Sequence, residues 1–369
     1  MNAAAALPPP AIEQPASHEA SFGLVTGIAA RGTRRVVISV RGRVLANKPL
    51  RGRHFSLHVA LPTGDVSVRI TTVGTGGRRS ARVVGEVLGL PAAARPRVVA
   101  SHEDAALARR VRKLASDFGP TSGIYLQSLT DGSGAAWNAK ARFPAASTLK
   151  LAIATTVLAS YSGVPSPGSN VDALLRQMIL FSDNASANAL EVWLAGSTSA
   201  GSDRVNALMR SIGLTDSLMY GGYETHTFRR IPVRVDEQPA FGFGKYTTAW
   251  DLASLLRSVW LAAGARGPLR EAQPGFTAAD GRYLLWLLGH VRDTAKLDRT
   301  VRERPDVAVL HKAGWVDTAR HDAGLVFWQG GVFVASVMTW RPSGAGVSSD
   351  VLAGKCAAAA LARFRRLHR

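Results

Sequence analysis

The chain has 369 residues, 46% of them hydrophobic and 19% charged, a balance that supports a sizeable folded core and excludes general disorder. Its formal net charge of +19 comes from 37 arginines and 8 lysines against 26 acidic residues, and a lone cysteine, Cys356, excludes an internal disulfide or a multi-cysteine metal site. No apolar run approaches the roughly 20 residues of a membrane-spanning helix, and the opening Met1–Pro10 lacks the basic and apolar regions of a secretory signal.

The basic excess is densest at the start, where residues 1–100 hold 14 Lys and Arg against 4 Asp and Glu. Such a field suits nucleic acid, anionic lipid or an anionic cell-wall polymer, and it equally fits a solvated Arg-rich surface, the reading preferred for this part of the chain. Phe22 and Phe55 are its only aromatics, so stacking platforms for bases are lacking and no nucleic acid is expected. Residues 1–20, rich in Ala and Pro, predict a flexible tail. From 21 to 96 short alternating runs (Val36, Ile38, Val40; Phe55, Leu57, Val59, Leu61; Val66, Val68, Ile70) are broken by turn signals such as Pro62-Thr-Gly-Asp65. Period-two alternation predicts antiparallel strands and a small all-β, immunoglobulin-like sandwich of unassigned role. Pro91–Pro96 reads as a linker to a second domain at 97–369.

That second domain opens with helical spacing over Glu103–Phe118 and a hairpin from Gly123–Leu129 and Ala135–Asn138. A helix follows from Ser147 to about Ser160, then helices over Val171–Phe181, Ala185–Leu194 and Asp203–Ile212. Leu214–Phe243 is irregular. Thr247 and Thr248 offer caps for a helix carrying Leu252, Leu255, Leu256 and Trp260. Tyr283–Val291 predicts another helix, three strands follow at Val307–Ala313, Gly324–Gln329 and Val332–Trp340, and a helix from about Ser348 closes the chain and carries Cys356 as packing. Strands from both ends with helices between predict one antiparallel five-stranded sheet flanked by helices, an α+β fold of three layers, α-β-α.

Three short motifs carry chemistry. In Phe143-Pro-Ala-Ala-Ser147-Thr-Leu-Lys150, a helix places the lysine amine on the same face as the serine hydroxyl, a nucleophile beside a base. Ser182-Asp183-Asn184 and Lys312-Ala313-Gly314 follow, and only Lys150, of few lysines, has a serine three places before it. In this order the trio is similar to the Ser-x-x-Lys, Ser-Asp-Asn and Lys-Thr-Gly set of class A β-lactamases and penicillin-binding proteins. Over roughly residues 100 to 369 the chain resembles these serine hydrolases: Leu180-Phe-Ser-Asp-Asn-Ala-Ser-Ala-Asn-Ala-Leu190 looks like their second motif, and Tyr246-Thr-Thr-Ala-Trp-Asp-Leu-Ala-Ser-Leu-Leu256 like the helix after their active-site loop.

The resemblance implies that Ser147 attacks a β-lactam or acyl-D-alanyl amide, with Lys150 as base and Ser182 relaying a proton to the leaving nitrogen. It assigns Asn184 to the substrate amide, Lys312 to the substrate carboxylate, and the N–H groups of Ser147 and Trp315, the latter next to Gly314, to the oxyanion. It further implies β-lactam hydrolysis outside the cytoplasm without metal or organic cofactor, with a D-alanyl-D-alanine peptidase or penicillin-binding protein, or a silent binder of wall fragments, as alternatives. Three departures bear on activity. Ala313 replaces the usual Thr or Ser, and only 35 positions separate Ser147 from Ser182, which opens one cleft wall. The family's Glu-x-x-Leu-Asn loop is matched only by Tyr223-Glu224-Thr-His-Thr-Phe228, leaving Glu224 as the candidate deacylating base. Arg320 on the following strand is the candidate second cation for a substrate carboxylate.

Overall fold

The computed structural model describes residues 7–161, 163–224, 244–301 and 303–368. The chain divides into two compact units, Met1–Arg95 and Pro96–Arg369.

In the first unit, β1 (Ala11–Gln14), β3 (Leu24–Ile28) and β6 (His54–His58) form a three-stranded sheet in the order β1-β3-β6. Five further strands, β2 (Ala20–Ser21), β4 (Thr33–Val40), β5 (Arg43–Pro49), β7 (Gly64–Gly74) and β8 (Arg79–Gly89), form a second sheet in the order β2-β8-β7-β4-β5. Val25 and Phe55 from the first sheet and Val36, Ile38, Val68 and Ile70 from the second share one core. Strand β1 corrects the expectation of a tail running to residue 20. Prolines at 8–10 and 15 mask the strand in the sequence, and a strand at a sheet edge tolerates flanking prolines. It also needs Gly27 opposite, since a Cβ there would lie 2.3 Å from Ala11 O. Residues 1–6 of the expected tail lie outside the described residues. Phe22 and Phe55 are both buried.

The second unit is built on a sheet with the order β14 (Ala308–Val316), β15 (Ala319–Trp328), β16 (Gly331–Trp340), β10 (Thr121–Ser128), β11 (Ser133–Trp137) and β9 (His102–Glu103). The five long strands are antiparallel; β9, two residues long, adds in parallel to β11 and makes six. One face packs against α1 (Ala105–Phe118) and α9 (Val347–Leu367) through Leu107, Val111, Leu352, Cys356 and Phe364. Against the other lie α6 (Ala249–Ala263), on β10, β15 and β16, and α8 (Ala278–Gly289), on β14. Further helices are α2 (Lys150–Ser160), α3 (Asn170–Leu180), α4 (Asn184–Ala195), α5 (Thr198–Ser211) and the short α7 (Pro268–Ala272); β12 (Phe143–Pro144) and β13 (Tyr246–Thr247) pair in a two-stranded ladder. Most boundaries fall near the predicted ones. Strand β15 begins five residues earlier than expected because Arg320, His321 and Asp322 interrupt the apolar pattern, yet the last two are buried. Among the described residues no helix is long and apolar enough to cross a membrane.

Side-chain caps start most of the helices. Asp104 accepts from Ala106 N and Leu107 N at 3.0 and 2.9 Å and takes Arg363 Nε of α9 at 2.7 Å, joining the first and last helices of the unit. Asp104→Ala is expected to destabilise this unit by about 1–2 kcal/mol, the range of a lost N-cap with a half-exposed ion pair. A urea midpoint for the second unit equal to that of the parent protein would contradict this.

Candidate active site

Ser147 lies in a 3₁₀ turn, Ala146–Leu149, that runs directly into α2. The turn is held from three sides. Thr148 N and Oγ1 both donate to Ala145 O, Ala145 N donates to Lys245 O at 3.0 Å, and β12 is paired with β13. His321 Nδ1 accepts from Thr339 N, so its Nε2 carries the proton and donates to Pro144 O at 2.7 Å. Burial holds that imidazole at a pKa of about 4, hence neutral. Ala146 has φ +49°, a left-handed conformation costly for a residue with a Cβ, immediately before Ser147.

Lys150, the first residue of α2, is 0% exposed. Its Nζ donates to Ser182 O, to Asn184 Oδ1 at 2.5 Å and to Ser182 Oγ at 3.4 Å. None of its hydrogen bonds reaches Ser147, three residues back, although helical spacing places the two on one face. Burial, then the charge of Lys312, then that of Lys245 push Lys150 down to a pKa of about 6, against the opposing pull of Asp183. The acceptors come from one short segment: Ser182 takes a left-handed φ of +60°, Asp183 caps α4 by accepting from Ser186 N at 2.6 Å, and Asn184 is the first residue of that helix.

Lys312 approaches from β14, an edge strand, and donates to Ser182 Oγ and Ala313 O, each at 2.9 Å. Burial lowers it to a pKa of about 8, with Asp322 and Asp293 resisting the shift. Strand alternation puts Lys312 and Gly314 on one face of β14 and Ala313 and Trp315 on the other. Gly314 passes over the turn that carries Ser147 so closely that a Cβ there would lie 2.8 Å from Ser147 N and 2.9 Å from Thr148 N. Ser147, Lys150, Ser182, Asn184, Lys312 and Gly314 thus come from three separate stretches into one cluster.

Two expected residues stand apart from it. Arg320 is opposite Trp315 in the β14–β15 register and shares its face, away from Lys312. Its guanidinium is taken by Asp350 of α9 at 2.8 Å and lies 6.0 Å from the Trp315 ring. Glu224 is exposed, and it meets the cluster through its backbone, whose carbonyl accepts from Asn184 Nδ2. The residues after it, 225–243, lie outside the described residues.

Sequence reasoning missed the groups that fill the space behind Lys150. The Tyr223 ring lies 4.7 Å from Lys150 Nζ, and burial holds its phenol protonated. Asn188 clasps the Tyr223 backbone, accepting from its N at 2.6 Å and donating to its O at 2.8 Å. Asn188 is four residues after Asn184 and so on the same helical face, a signal the sequence did contain.

A family model described as "Beta-lactamase enzyme family" matches residues 106–163 and 164–364. The chain belongs to the β-lactamase enzyme family. No curated protein sequence matches. Among solved structures, the family fold is seen in PBP-A, with a TM-score of 0.57 at 19% identity over 72% of this chain and 98% of that one. β-Lactamases of Sphaerobacter thermophilus and Streptosporangium roseum are similar too, each with a TM-score of 0.55 at 20% identity over 71% of this chain and 98% and 99% of theirs. At such identities the likeness establishes the fold, and the first unit lies outside the family match.

Because the atoms nearest the missing Cβ of Gly314 are Ser147 N, Thr148 N and Thr148 Cγ2, the turn that carries Ser147 cannot accommodate a methyl group without moving. Gly314→Ala is expected to slow adduct formation at Ser147 at least tenfold with the circular dichroism spectrum retained; an unaltered rate would show that the close approach of β14 is dispensable.

Proposed function

We propose that the second unit is a serine hydrolase of the penicillin-binding type, which acylates Ser147 rapidly and releases the acyl group slowly. The observation that carries the reading is Lys150, buried among Ser182, Asn184 and Tyr223 and held near a pKa of 6, so that at neutral pH its amine is free to accept a proton.

In this reading Ser147 Oγ attacks the carbonyl carbon of a β-lactam or acyl-D-alanyl amide, and its proton passes to Lys150 Nζ. Charge growing on the carbonyl oxygen is met by the N–H groups of Ser147 and Trp315, where one such donor is worth about 3–4 kcal/mol. As the C–N bond breaks, Ser182 Oγ delivers a proton to the leaving nitrogen, a transfer favoured by its bonds to both lysines. Lys312 supplies the positive charge that draws the substrate carboxylate. Ala313 adds no hydroxyl there, and the cluster attracts the anion through Lys312.

We read slow release from what lies beside Lys150 among the described residues. Among the described residues, the groups packed against Lys150 include the Tyr223 ring, and Asp183 is the acidic residue acting on its charge; the carboxylate of Glu224 acts on Lys245 instead. A PBP-A variant has been captured as an acyl-enzyme with penicillin G, the kind of species expected here. Turnover of a β-lactam, the other outcome open to this fold, requires a base for water that these residues do not offer at Lys150.

Intact mass of the protein after exposure to a fluorescent penicillin tests the reading. A lasting adduct is expected, absent in Ser147→Ala, whose decay is unaltered by Glu224→Gln and whose formation slows as pH falls below about 6, where Lys150 becomes protonated. Rapid release would make the protein a lactamase instead, and slower release in the Glu224 variant would return that residue to the mechanism. Neither adduct nor turnover would refute both.

A further inference from the structure

A third lysine, Lys245, stands behind the cluster. Lys245 Nζ donates to Gly222 O at 2.6 Å and lies 4.6 Å from the centroid of the Tyr223 ring, the same ring that Lys150 meets. Its backbone carbonyl holds Ala145 N, two residues before Ser147, and Tyr246 and Thr247 after it pair with Pro144 and Phe143. One residue therefore ties together the run-in to the nucleophile, the 222–224 segment and the ring against the base.

The counter-charge is in place as well. Glu191 of α4 is 0% exposed; its Oε1 accepts from Ser202 Oγ at 2.7 Å, and its Oε2 has no hydrogen-bond partner among the described residues. A buried carboxylate left half-satisfied is costly; burial lowers Lys245 to a pKa of about 8, and the field of Glu191 opposes that fall and favours the protonated form. Burial raises Glu191 in turn, and Lys245 and Ser202 oppose that rise.

We propose that Lys245 is a positioning residue of the acylation step: it clamps Tyr223 against Lys150 and, charged by virtue of Glu191, supplies part of the positive field that leaves Lys150 free to take the Ser147 proton. This rests on the acyl-enzyme reading above. The groups acting on Lys150 are Lys312 from β14, Asp183 at the start of α4, Lys245 and the neutral Tyr223; those acting on Lys245 are Glu191 from α4 and Glu224. Two full positive charges against one ring repel each other, so a charged Lys245 makes Lys150 the lysine that gives up its proton.

The rate of Ser147 adduct formation with a fluorescent penicillin, followed from pH 5 to 9 on the full chain, tests the proposal in Lys245→Gln, Lys245→Met and Lys245→Arg. Gln keeps a donor for Gly222 O, Met keeps bulk, and Arg keeps the charge. In the two neutral variants the acid limb is expected to move up by about one pH unit, so that the rate falls about tenfold at pH 5, about fivefold at pH 6 and about twofold or less at pH 9. Lys245→Arg is expected to hold the limb at its parent position. A limb that stays in place in a neutral variant, or a uniform loss at every pH that Arg does not restore, overturns the proposal. Should both neutral variants fail to fold, the Arg variant decides: an unmoved limb supports a charge role and a shifted one contradicts it. Absence of any adduct in the parent protein would instead remove the acyl-enzyme reading.

Discussion

The burial of the Lys150 amine is the constraint on which the rest of the second unit depends. An ammonium removed from water is costly unless acceptors surround it or its proton leaves, and here the balance lies with loss of the proton. Ser182 O and Asn184 Oδ1 take the two N–H groups of the neutral amine, while burial and the positive charges of Lys312 and Lys245 favour that neutral form. The acceptors in turn need the left-handed turn at Ser182 and the capped start of α4. Local strain at Ala146 and Ser182 is therefore tolerated beside Ser147 and Lys150, and in the proposed chemistry these are the positions where the nucleophile and the proton relay are aimed.

The sheet serves the same end. As an edge strand, β14 leaves one side unpaired, and its alternation sends Lys312 toward Ser182 while Gly314 lets the backbone lie against Ser147 N. Beneath it, His311 is held toward its protonated form by Asp322, whose carboxylate lies 2.8 Å away, although burial opposes that charge. Asp322 also keeps Lys312 more basic than burial alone would allow. The two lysines of the cluster are thus set apart by their surroundings: Lys150 lies among cations and gives up its proton, whereas Lys312 lies near carboxylates and retains more of its charge.

Much of this was legible in the sequence because it is written in local spacing. Ser147 and Lys150 sit three apart on a helical path, Ser182 and Asn184 lie at a helix start, and Lys312 and Gly314 alternate on a strand, so each fragment carries its geometry with it. Strand β1 was hidden because prolines around it mimic a linker, and the true start of β15 because its polar residues are buried and satisfied by partners far off in the chain. Lys245, Tyr223 and Glu191 were missed for a related reason. Their association is tertiary, across α4 and two loop segments, and nothing in the spacing of 191, 223 and 245 announces that they meet. Arg320 misled in the opposite direction: its place after the third motif suggested a site residue, while strand alternation and Asp350 draw it to the other face.

The chemistry proposed for Ser147 turns on a single protonation state. Lysine labelled with ¹³C at Cε gives eight signals in this chain, one for each lysine, and the Lys150 signal is identified by its loss in Lys150→Arg. Titration by NMR is predicted to show that signal changing near pH 6, far below the ordinary lysine value of about 10.4. A Lys150 signal that keeps its protonated shift up to about pH 10 would contradict the account, because the residue placed to receive the Ser147 proton would already be carrying one.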